Sequence, residues 1–241
     1  MATKSKPKSK KTGKPIRSTK KTVSAARKSK TSAKARSAKT VKRPVRTAPK
    51  PKAPSVGQRM AALEEKILAD KKELAALRKK KAPVEVQDYI FKKHDGSEIR
   101  LSEMFGPHPD LVLVHNMGKG CPYCTLWADG FVGLTKHQEN RAGFVVISKD
   151  PFDVQRDFYN SRNWNFKMFS SRESTFNRDM GYENEKGGQM PGVSAFYKDD
   201  NGKIFRVGHT WFGPGDDFCA VWHMFDLLKD GPACWNPKYT Y

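Results

Sequence analysis

The chain has 241 residues and a formal charge of +21, and most of that charge lies at one end. Residues 1–58 hold 20 of the 46 Lys and Arg residues and none of the 25 acidic residues, so the remainder is nearly neutral. Because no run of about 18 apolar residues occurs and no apolar segment follows Met1, we expect a cytoplasmic protein with no membrane span and no secretory signal.

The first predicted segment is a disordered, Lys/Arg-rich tail over residues 1–57. Self-repulsion and the lack of large apolar side chains prevent it from forming a core. In composition the tail resembles those of linker-histone-like proteins, and it favours contact with nucleic acid or another polyanion. A solvated extension without a specific partner is the alternative. Such a tail also allows nucleoid-associated or nuclear localisation.

An amphipathic helix is predicted next, over residues 58–82. Ser55 and Gln58 have the spacing of a capping box, and Pro83 ends the segment. Intervals of three and four residues separate a set of apolar positions with one acidic interruption: Met60, Leu63, Ile67, Asp70, Leu74 and Leu77. The pattern favours a helix packed on its own domain, and a homodimer through this seam is the alternative.

The rest of the chain, residues 83–241, is long enough to form one domain with a substantial core. Two hairpins, three further strands and three helices are predicted along it: hairpins at 89–101 and 189–209, strands at 110–117, 143–148 and 165–171, and helices at 121–134, 151–163 and 214–231. This order predicts an α/β three-layer domain with a central mixed sheet, helices on both faces and an N-terminal β-hairpin.

The motif Cys121-Pro122-Tyr123-Cys124 begins the helix that follows the first buried strand. The helix dipole and the free N–H groups of its first turn would stabilise a thiolate at Cys121, and one turn brings Cys124 within bridging distance. Pro122 suits this turn, where its missing N–H costs little. The arrangement predicts a catalytic redox pair whose partner is a protein or small-molecule disulfide or dithiol.

Two other interpretations of the cysteines stay open. A zinc site would need Cys219 and Cys234 as well, and these do not form a second closely spaced pair. Buried unreactive thiols are the other alternative, since cysteine often serves as a small apolar residue. We favour the redox pair, and we expect no metal and no organic cofactor.

The second half of the domain resembles thioredoxin-like proteins. The segment QMPGVSAFY, residues 189–197, is similar to the element in which those proteins place a cis-proline beside the redox cysteines. The resemblance implies that Pro191, with Met190 before it, positions the substrate. On the helix that starts at the cysteines, Tyr123 and Trp127 are candidates for the walls of the substrate groove.

His115 lies six residues before Cys121, where thioredoxins carry a buried acid. A histidine at this position could accept a proton from Cys124, or favour the Cys121 thiolate as an imidazolium. The alternative is a histidine that only forms hydrogen bonds within the strand end.

Residues 58–241 as a whole resemble the bacterial thioredoxin-like family called domain of unknown function 899. The resemblance rests on an ordered set of motifs: VHNM, GCPYCTLWADGFVG, FVVISKDP, RNWNFKMFSS, STFNRDM and PGVSAFYKDDNGKIFRVGHT. It implies a thioredoxin-like fold and brings no established substrate. The basic tail lies outside the resemblance.

Departures from better-known relatives narrow the functional prediction. The motif is that of glutaredoxins, but the glycine pair that they use for glutathione does not follow Pro191. A peroxiredoxin would carry a threonine three residues before its cysteine, and Cys121 stands there before Cys124. We therefore predict a thiol–disulfide oxidoreductase in which Cys121 attacks and Cys124 resolves. The alternative is a nucleic-acid-associated, histone-like protein whose thioredoxin-like domain is a non-catalytic scaffold or a redox sensor.

Overall fold

The structure, a computed structural model, describes residues 53–241, so nearly all of the predicted tail lies outside the described residues. The helical elements of this part are α1 (Val56–Lys80), α2 (Pro122–Phe131), α3 (Thr135–Arg141), α4 (Phe152–Ser161), α5 (Phe176–Asp179), α6 (Ala220–Phe225) and a 3-10 turn (Leu101–Glu103). Within the described residues, no helix has the length and apolar character needed to cross a membrane.

The strands form one mixed sheet: β1 (Val84–Val86), β2 (Ile90–Lys92), β3 (Glu98–Arg100), β4 (Asp110–His115), β5 (Gly143–Ser148), β6 (Lys167–Ser170), β7 (Gly192–Lys198) and β8 (Ile204–Trp211). Their order across the sheet is β1-β8-β7-β4-β5-β6-β2-β3. Strands β4, β5 and β6 run parallel, whereas β7 and β8 are antiparallel to their neighbours. The segment β5-β4-β7-β8, with this polarity, is the sheet of a thioredoxin-like domain.

The parallel pair of β4 and β5 lies at the centre of the sheet. Every residue of β5 is buried, as its unbroken apolar run predicts for a strand that is covered on both faces. The first residue of β5, Gly143, has no side chain because one there would come within 2.8 Å of the Met104 carbonyl oxygen. Strand β4 ends at His115, and the chain then continues to α2. The cysteine motif therefore follows the carboxyl end of a central strand.

Side chains of β4 alternate between two cores on opposite faces of the sheet. Leu111 and Leu113 lie in the core that contains the 3-10 turn and α5. Val114 lies in the other core, with Trp127 of α2 and Trp222 of α6. Helical elements therefore cover both faces, and the predicted α/β three-layer architecture is confirmed.

Helix α1 has the predicted cap but not the favoured packing. Ser55 Oγ accepts from the Gln58 N–H at 3.3 Å, and Gln58 Oε1 accepts from the Ser55 N–H at 2.8 Å. The helix spans Val56–Lys80 in place of the predicted 58–82. Helix α1 contacts the domain through an ion pair between Lys71 and Asp217, but in the described part of the chain none of its residues is buried, so the packing that the pattern favours leaves its apolar face exposed.

At the end of the domain, the prediction of one helix over residues 214–231 is wrong. Helix α6 spans only Ala220–Phe225. The Asp216 carboxylate accepts hydrogen bonds from the N–H groups of Gly213 and Phe218, at 3.0 and 2.9 Å. These two bonds stabilise a turn where the pattern predicts the first turn of a helix.

Candidate active site

Cys121 is the N-cap residue of α2. Its backbone is extended, with φ −111° and ψ 105°, and Pro122 takes the first helical position. The Cys121 sulfur accepts a hydrogen bond from the Cys124 N–H at 3.2 Å. The Thr125 N–H and hydroxyl both donate to the Cys121 carbonyl oxygen, at 3.0 and 3.1 Å. The first turn of α2 therefore holds the Cys121 sulfur over its free N–H groups.

Cys124 lies one turn further along and is buried, with 2% of its surface exposed. Its sulfur accepts from the Met117 N–H at 3.4 Å, and its carbonyl oxygen accepts from the Asn116 side-chain amide at 3.3 Å. Cys121, by contrast, is half-buried. Cys121 is therefore the more accessible of the two sulfurs. Asn116 and Met117 were not among the predicted site residues, although their place directly after β4 could have indicated them.

The two thiols differ in acidity. A hydrogen bond from the Cys124 thiol, supported by the N–H groups of Cys124 and Tyr123, lowers the pKa of Cys121 to about 6, although burial opposes the shift. The same hydrogen bond, together with burial and the Cys121 charge, raises the pKa of Cys124. Near neutral pH Cys121 is a thiolate and Cys124 a thiol. A nucleophile and a resolving cysteine need this difference.

Polar contacts fix the loop between β4 and α2. Gly118 adopts φ +95°, and its N–H donates to the Asn116 side-chain oxygen at 2.7 Å. A side chain at Gly118 would come within 2.6 Å of the Asp150 carboxylate. That carboxylate accepts from the Lys119 N–H at 2.8 Å. The loop is thus held against the end of β5, which keeps Cys121 in place.

Tyr123 and Trp127, the two predicted groove residues, have different surroundings. Tyr123 is half-buried beside the dithiol, and its hydroxyl donates to Asn236 Oδ1 at 2.5 Å. Trp127 is only 3% exposed, and its ring N–H donates to Asp216 at 3.3 Å. Tyr123 therefore lies where it can border a groove, whereas Trp127 supports the site from inside the core.

His115 lies in the core on the other face of the sheet from the cysteines. Its Nε2 is 3.0 Å from Ser194 Oγ, and its ring stacks on Tyr182 with 3.6 Å between centroids. Burial, with a smaller effect of two nearby basic residues, lowers the pKa of His115 well below 6.5, so the ring is neutral. The proton transfer that we predicted for His115 has no contact to support it. Hydrogen bonding at the strand end, the alternative, describes what the structure shows.

Pro191 and Met190 lie directly before β7, which is the neighbour of β4. The register pairs Gly192 with His115, so Pro191 lies at the sheet edge from which the chain continues to Cys121. The Met190 side chain is 39% exposed. Both residues are thus close to the loop that carries the dithiol, and their contact with substrate stays a prediction.

The C-terminal segment brings a residue to the site that no motif indicates. The Tyr239 hydroxyl donates to the Lys119 carbonyl oxygen at 2.8 Å, and the Tyr239 carbonyl oxygen accepts from Arg162 at 2.7 Å. Burial first, and then the charges of Cys121 and Cys124, raise the pKa of Tyr239. The phenol is therefore a neighbour of the dithiol. Sequence reasoning missed it because Tyr239 is far from the motif along the chain.

The remaining cysteines do not complete a metal site. Cys219 is buried at the N-cap of α6, and burial raises its pKa. Cys234 is exposed and has a left-handed backbone, with φ +61°. Across residues 53–241, no group of three or more His, Cys, Asp or Glu side chains is arranged to hold a metal ion. A zinc site made of the four cysteines therefore has no geometric support.

Fold and site together define a thioredoxin-like protein with a Cys-x-x-Cys dithiol at a helix N-terminus. A family model described as "Bacterial protein of unknown function (DUF899)" matches residues 56–237. The chain belongs to this family, as the ordered motifs indicate. No curated protein matches the chain.

Several solved structures resemble parts of the chain. A peroxiredoxin-like protein from Aquifex aeolicus is 19% identical over 54% of this chain and 75% of its own, with a TM-score of 0.43. Peroxidoxin BcpB from Mycobacterium tuberculosis is 28% identical over 52% of this chain and 82% of its own, also with a TM-score of 0.43. The bacterioferritin comigratory protein of Xanthomonas campestris is 18% identical over 51% and 79% of the two chains, with a TM-score of 0.40.

Proposed function

We propose that the protein is a thiol–disulfide oxidoreductase that uses Cys121 and Cys124. One observation carries the proposal: the sulfur of Cys121 lies at the N-terminus of α2, with a pKa of about 6, beside a buried Cys124 that keeps its proton. A thiolate is the nucleophile in disulfide exchange, and a protonated neighbour can be held ready for the second step.

The reaction begins when the Cys121 thiolate attacks one sulfur of a substrate disulfide. A bond forms between Cys121 and that sulfur, the substrate S–S bond breaks, and the second substrate sulfur leaves as a thiolate that takes up a proton. In the mixed disulfide the Cys121 sulfur carries no negative charge and accepts the Cys124 hydrogen bond less strongly. These two effects of Cys121 no longer raise the pKa of Cys124 as much, so Cys124 loses its proton more easily. Its thiolate attacks Cys121 and releases the substrate as a dithiol. Two electrons have passed to the substrate, and an external dithiol restores the enzyme.

Substrate positioning is assigned to groups beside the half-buried sulfur. Pro191 and Met190 lie at the same sheet edge as the dithiol loop, and Tyr123 borders the site from α2. These residues would hold an extended segment of a disulfide substrate close to Cys121. The sequence of steps requires no metal and no organic cofactor.

A redox titration of the dithiol tests the proposal. The full chain is equilibrated in glutathione or dithiothreitol buffers of set potential, alkylated, and read by peptide mass. We expect a reversible two-electron disulfide between Cys121 and Cys124 with a potential between about −120 and −280 mV. Cys219 and Cys234 serve as internal controls and should stay alkylated. If Cys121 and Cys124 never form a disulfide, the oxidoreductase proposal is wrong.

A second candidate function rests on the charge distribution of the sequence. Residues 1–58 carry 20 basic and no acidic residues, which favours binding of nucleic acid or another polyanion. In this case the thioredoxin-like domain would act as a scaffold or redox sensor. Deletion of the tail separates the two functions. If the deletion removes the cellular phenotype and polyanion binding while disulfide exchange stays intact, the second function is favoured. Loss of the phenotype only in Cys121→Ser favours the first.

A further inference from the structure

Helix α1 has a stripe of exposed apolar side chains along its length. Its 25 residues extend about 37 Å, and within the described residues none of them is buried. The apolar residues of the seam are each between 47% and 57% exposed: Met60, Leu63, Ile67, Leu74 and Leu77. A helix in water gains most of its stability from packing of its apolar face, so this stripe needs a partner.

Contact with the protein's own domain covers little of the stripe. Lys71 forms an ion pair with Asp217 at 2.6 Å. Ile67 and Leu74 line an open groove, and across it Trp211 and Phe218 are 54% and 40% exposed. The exposed apolar surface thus continues from the helix to the domain beside it.

The stripe is complementary to itself when one copy is reversed. The seam positions are placed symmetrically about the point between Leu68 and Ala69. An antiparallel second copy would therefore place Met60 opposite Leu77, and Leu63 opposite Leu74. The acidic Asp70 would face the apolar Ile67. In a parallel pair the two Asp70 carboxylates would meet in the seam, which is unfavourable because like charges repel.

Charges beside the seam are compatible with the antiparallel arrangement. In heptad terms Lys66 and Glu73 occupy g positions, and Glu64 and Lys71 occupy e positions. Reversal of one helix brings g positions beside g positions and e beside e. Lys66 then faces Glu73, and Glu64 faces Lys71, each pair occurring twice by symmetry. The third antiparallel g pair, Arg59 and Lys80, is repulsive. A parallel pair would place Lys66 beside Lys71, but also Arg59 beside Glu64 and Glu73 beside Arg78. The order of the seam residues, and not the flanking charge, therefore sets the orientation.

We propose that α1 is a dimer interface on which a second copy of this chain docks in antiparallel orientation. The two-fold axis lies between the two helices, at the level of Leu68 and Ala69. A symmetric interface of this kind uses the same surface patch on both copies, and the reversed order of the seam meets this requirement. The partner is therefore another copy of the chain.

Light scattering on the full chain over a series of concentrations is the first test. We expect the mass to approach twice the monomer value of 27.3 kDa, and Leu74→Asp to return it to the monomer. Leu68→Asp is the matched control, since Leu68 is similarly exposed but lies outside the seam, and it should stay dimeric. Because no α1 residue is buried, the domain should stay folded, as shown by unchanged alkylation of Cys121. A monomeric wild type, or equal loss of the dimer in both variants, would overturn the proposal.

A charge reversal tests the orientation. Lys66→Glu places like charges beside Glu73 of the second copy twice, so the dimer should dissociate at about tenfold higher concentration. Lys66→Glu combined with Glu73→Lys restores opposite charges and should regain the wild-type dissociation constant. Circular dichroism checks that the helix content is unchanged. A tighter dimer in Lys66→Glu would show that the helices are parallel, and the antiparallel interface would then be wrong.

Discussion

The reactivity of Cys121 depends on the hydrogen-bond donors around its sulfur. The Cys124 thiol contributes most to the low pKa, ahead of the backbone N–H groups of Cys124 and Tyr123. Replacement of the Cys124 thiol by a methyl group therefore changes the pKa of Cys121 more than any substitution in the second half of α2 would. The burial of Cys124, which limits access to solvent, keeps its proton available for this bond.

We predict that Cys124→Ala raises the pKa of Cys121. The alkylation midpoint should lie at about 6 in the wild type and move toward, without reaching, the ~8.5 of a free cysteine, because the helix amides still stabilise the thiolate. Below its midpoint each protein reacts slowly, since the thiol form predominates. The measurement is the rate of Cys121 alkylation against pH, read by peptide mass. Cys234→Ala is the matched control, and it should leave the midpoint unchanged.

His115 supplies a second prediction at the level of one residue. Because its ring lies in the core on the other face of the sheet, His115→Gln should leave the Cys121 alkylation profile superimposable on that of the wild type. Glutamine can still form a hydrogen bond with Ser194 but cannot take up a proton. A shifted profile in this variant would return His115 to the mechanism.

The same substitution should change how stability depends on pH. The folded state holds His115 neutral with a pKa well below 6.5, whereas the unfolded state takes up a proton near that value. The contribution of the neutral His115 ring to the free energy of unfolding is therefore complete above the pKa of the unfolded state. It is lost as the pH falls below that pKa, by at most about 1.4 kcal/mol per pH unit. Urea unfolding at pH 7 and pH 5 should show a smaller loss in His115→Gln than in the wild type. A loss of equal size would contradict the burial of a neutral ring.

At the scale of strands, close packing at the start of β7 explains why Gly192 has no side chain. A side chain at Gly192 would come within 2.4 Å of the Tyr182 ring and 2.5 Å of the Thr210 carbonyl oxygen. We predict that Gly192→Ala lowers the free energy of unfolding by about 1–3 kcal/mol, as overpacking does. The measurement is urea unfolding.

A neighbouring glycine provides the control for this prediction. Gly208 lies in β8, and a side chain there would meet only the Ala195 methyl group at 4.0 Å. Gly208→Ala should be neutral or slightly stabilising, because alanine loses less conformational entropy on folding. Equal destabilisation by both substitutions would show that the contact with Tyr182 and Thr210 is not the cause.

Elements that local pattern determines were predictable from the sequence. The apolar runs in β4 and β5 and the motif at the start of α2 are local signals, and they indicated the fold and the start of α2 at the cysteines correctly. The face of the sheet reached by His115 depends on which core each alternate residue joins, and no local signal gives this. No local signal predicts the turn at Asp216 either, because its hydrogen bonds to Gly213 and Phe218 form only once the chain has folded back. Tyr239 reaches the site by tertiary packing alone.

At the scale of the whole chain, charge separates two parts with different physical behaviour. Residues 53–241 fold as described and carry the dithiol, while the 20 basic residues before Val56 account for nearly all of the net charge of +21. A chain segment with this composition binds polyanions through release of counterions, which makes the binding depend strongly on salt. The tail should therefore bind nucleic acid independently of the redox state of Cys121 and Cys124.

We predict that a gel-shift series with duplex DNA of mixed sequence shows affinity falling roughly 10³- to 10⁵-fold between 50 and 200 mM salt, if 6 to 10 phosphates are engaged. Deletion of residues 1–53 should abolish binding and leave the alkylation of Cys121 unchanged, because this boundary keeps Ser55 and the cap of α1. Cys121→Ser should have the opposite effect, with binding intact and disulfide exchange lost. Binding that is insensitive to salt, or that survives the deletion, would show that the polyanion contact does not come from the tail.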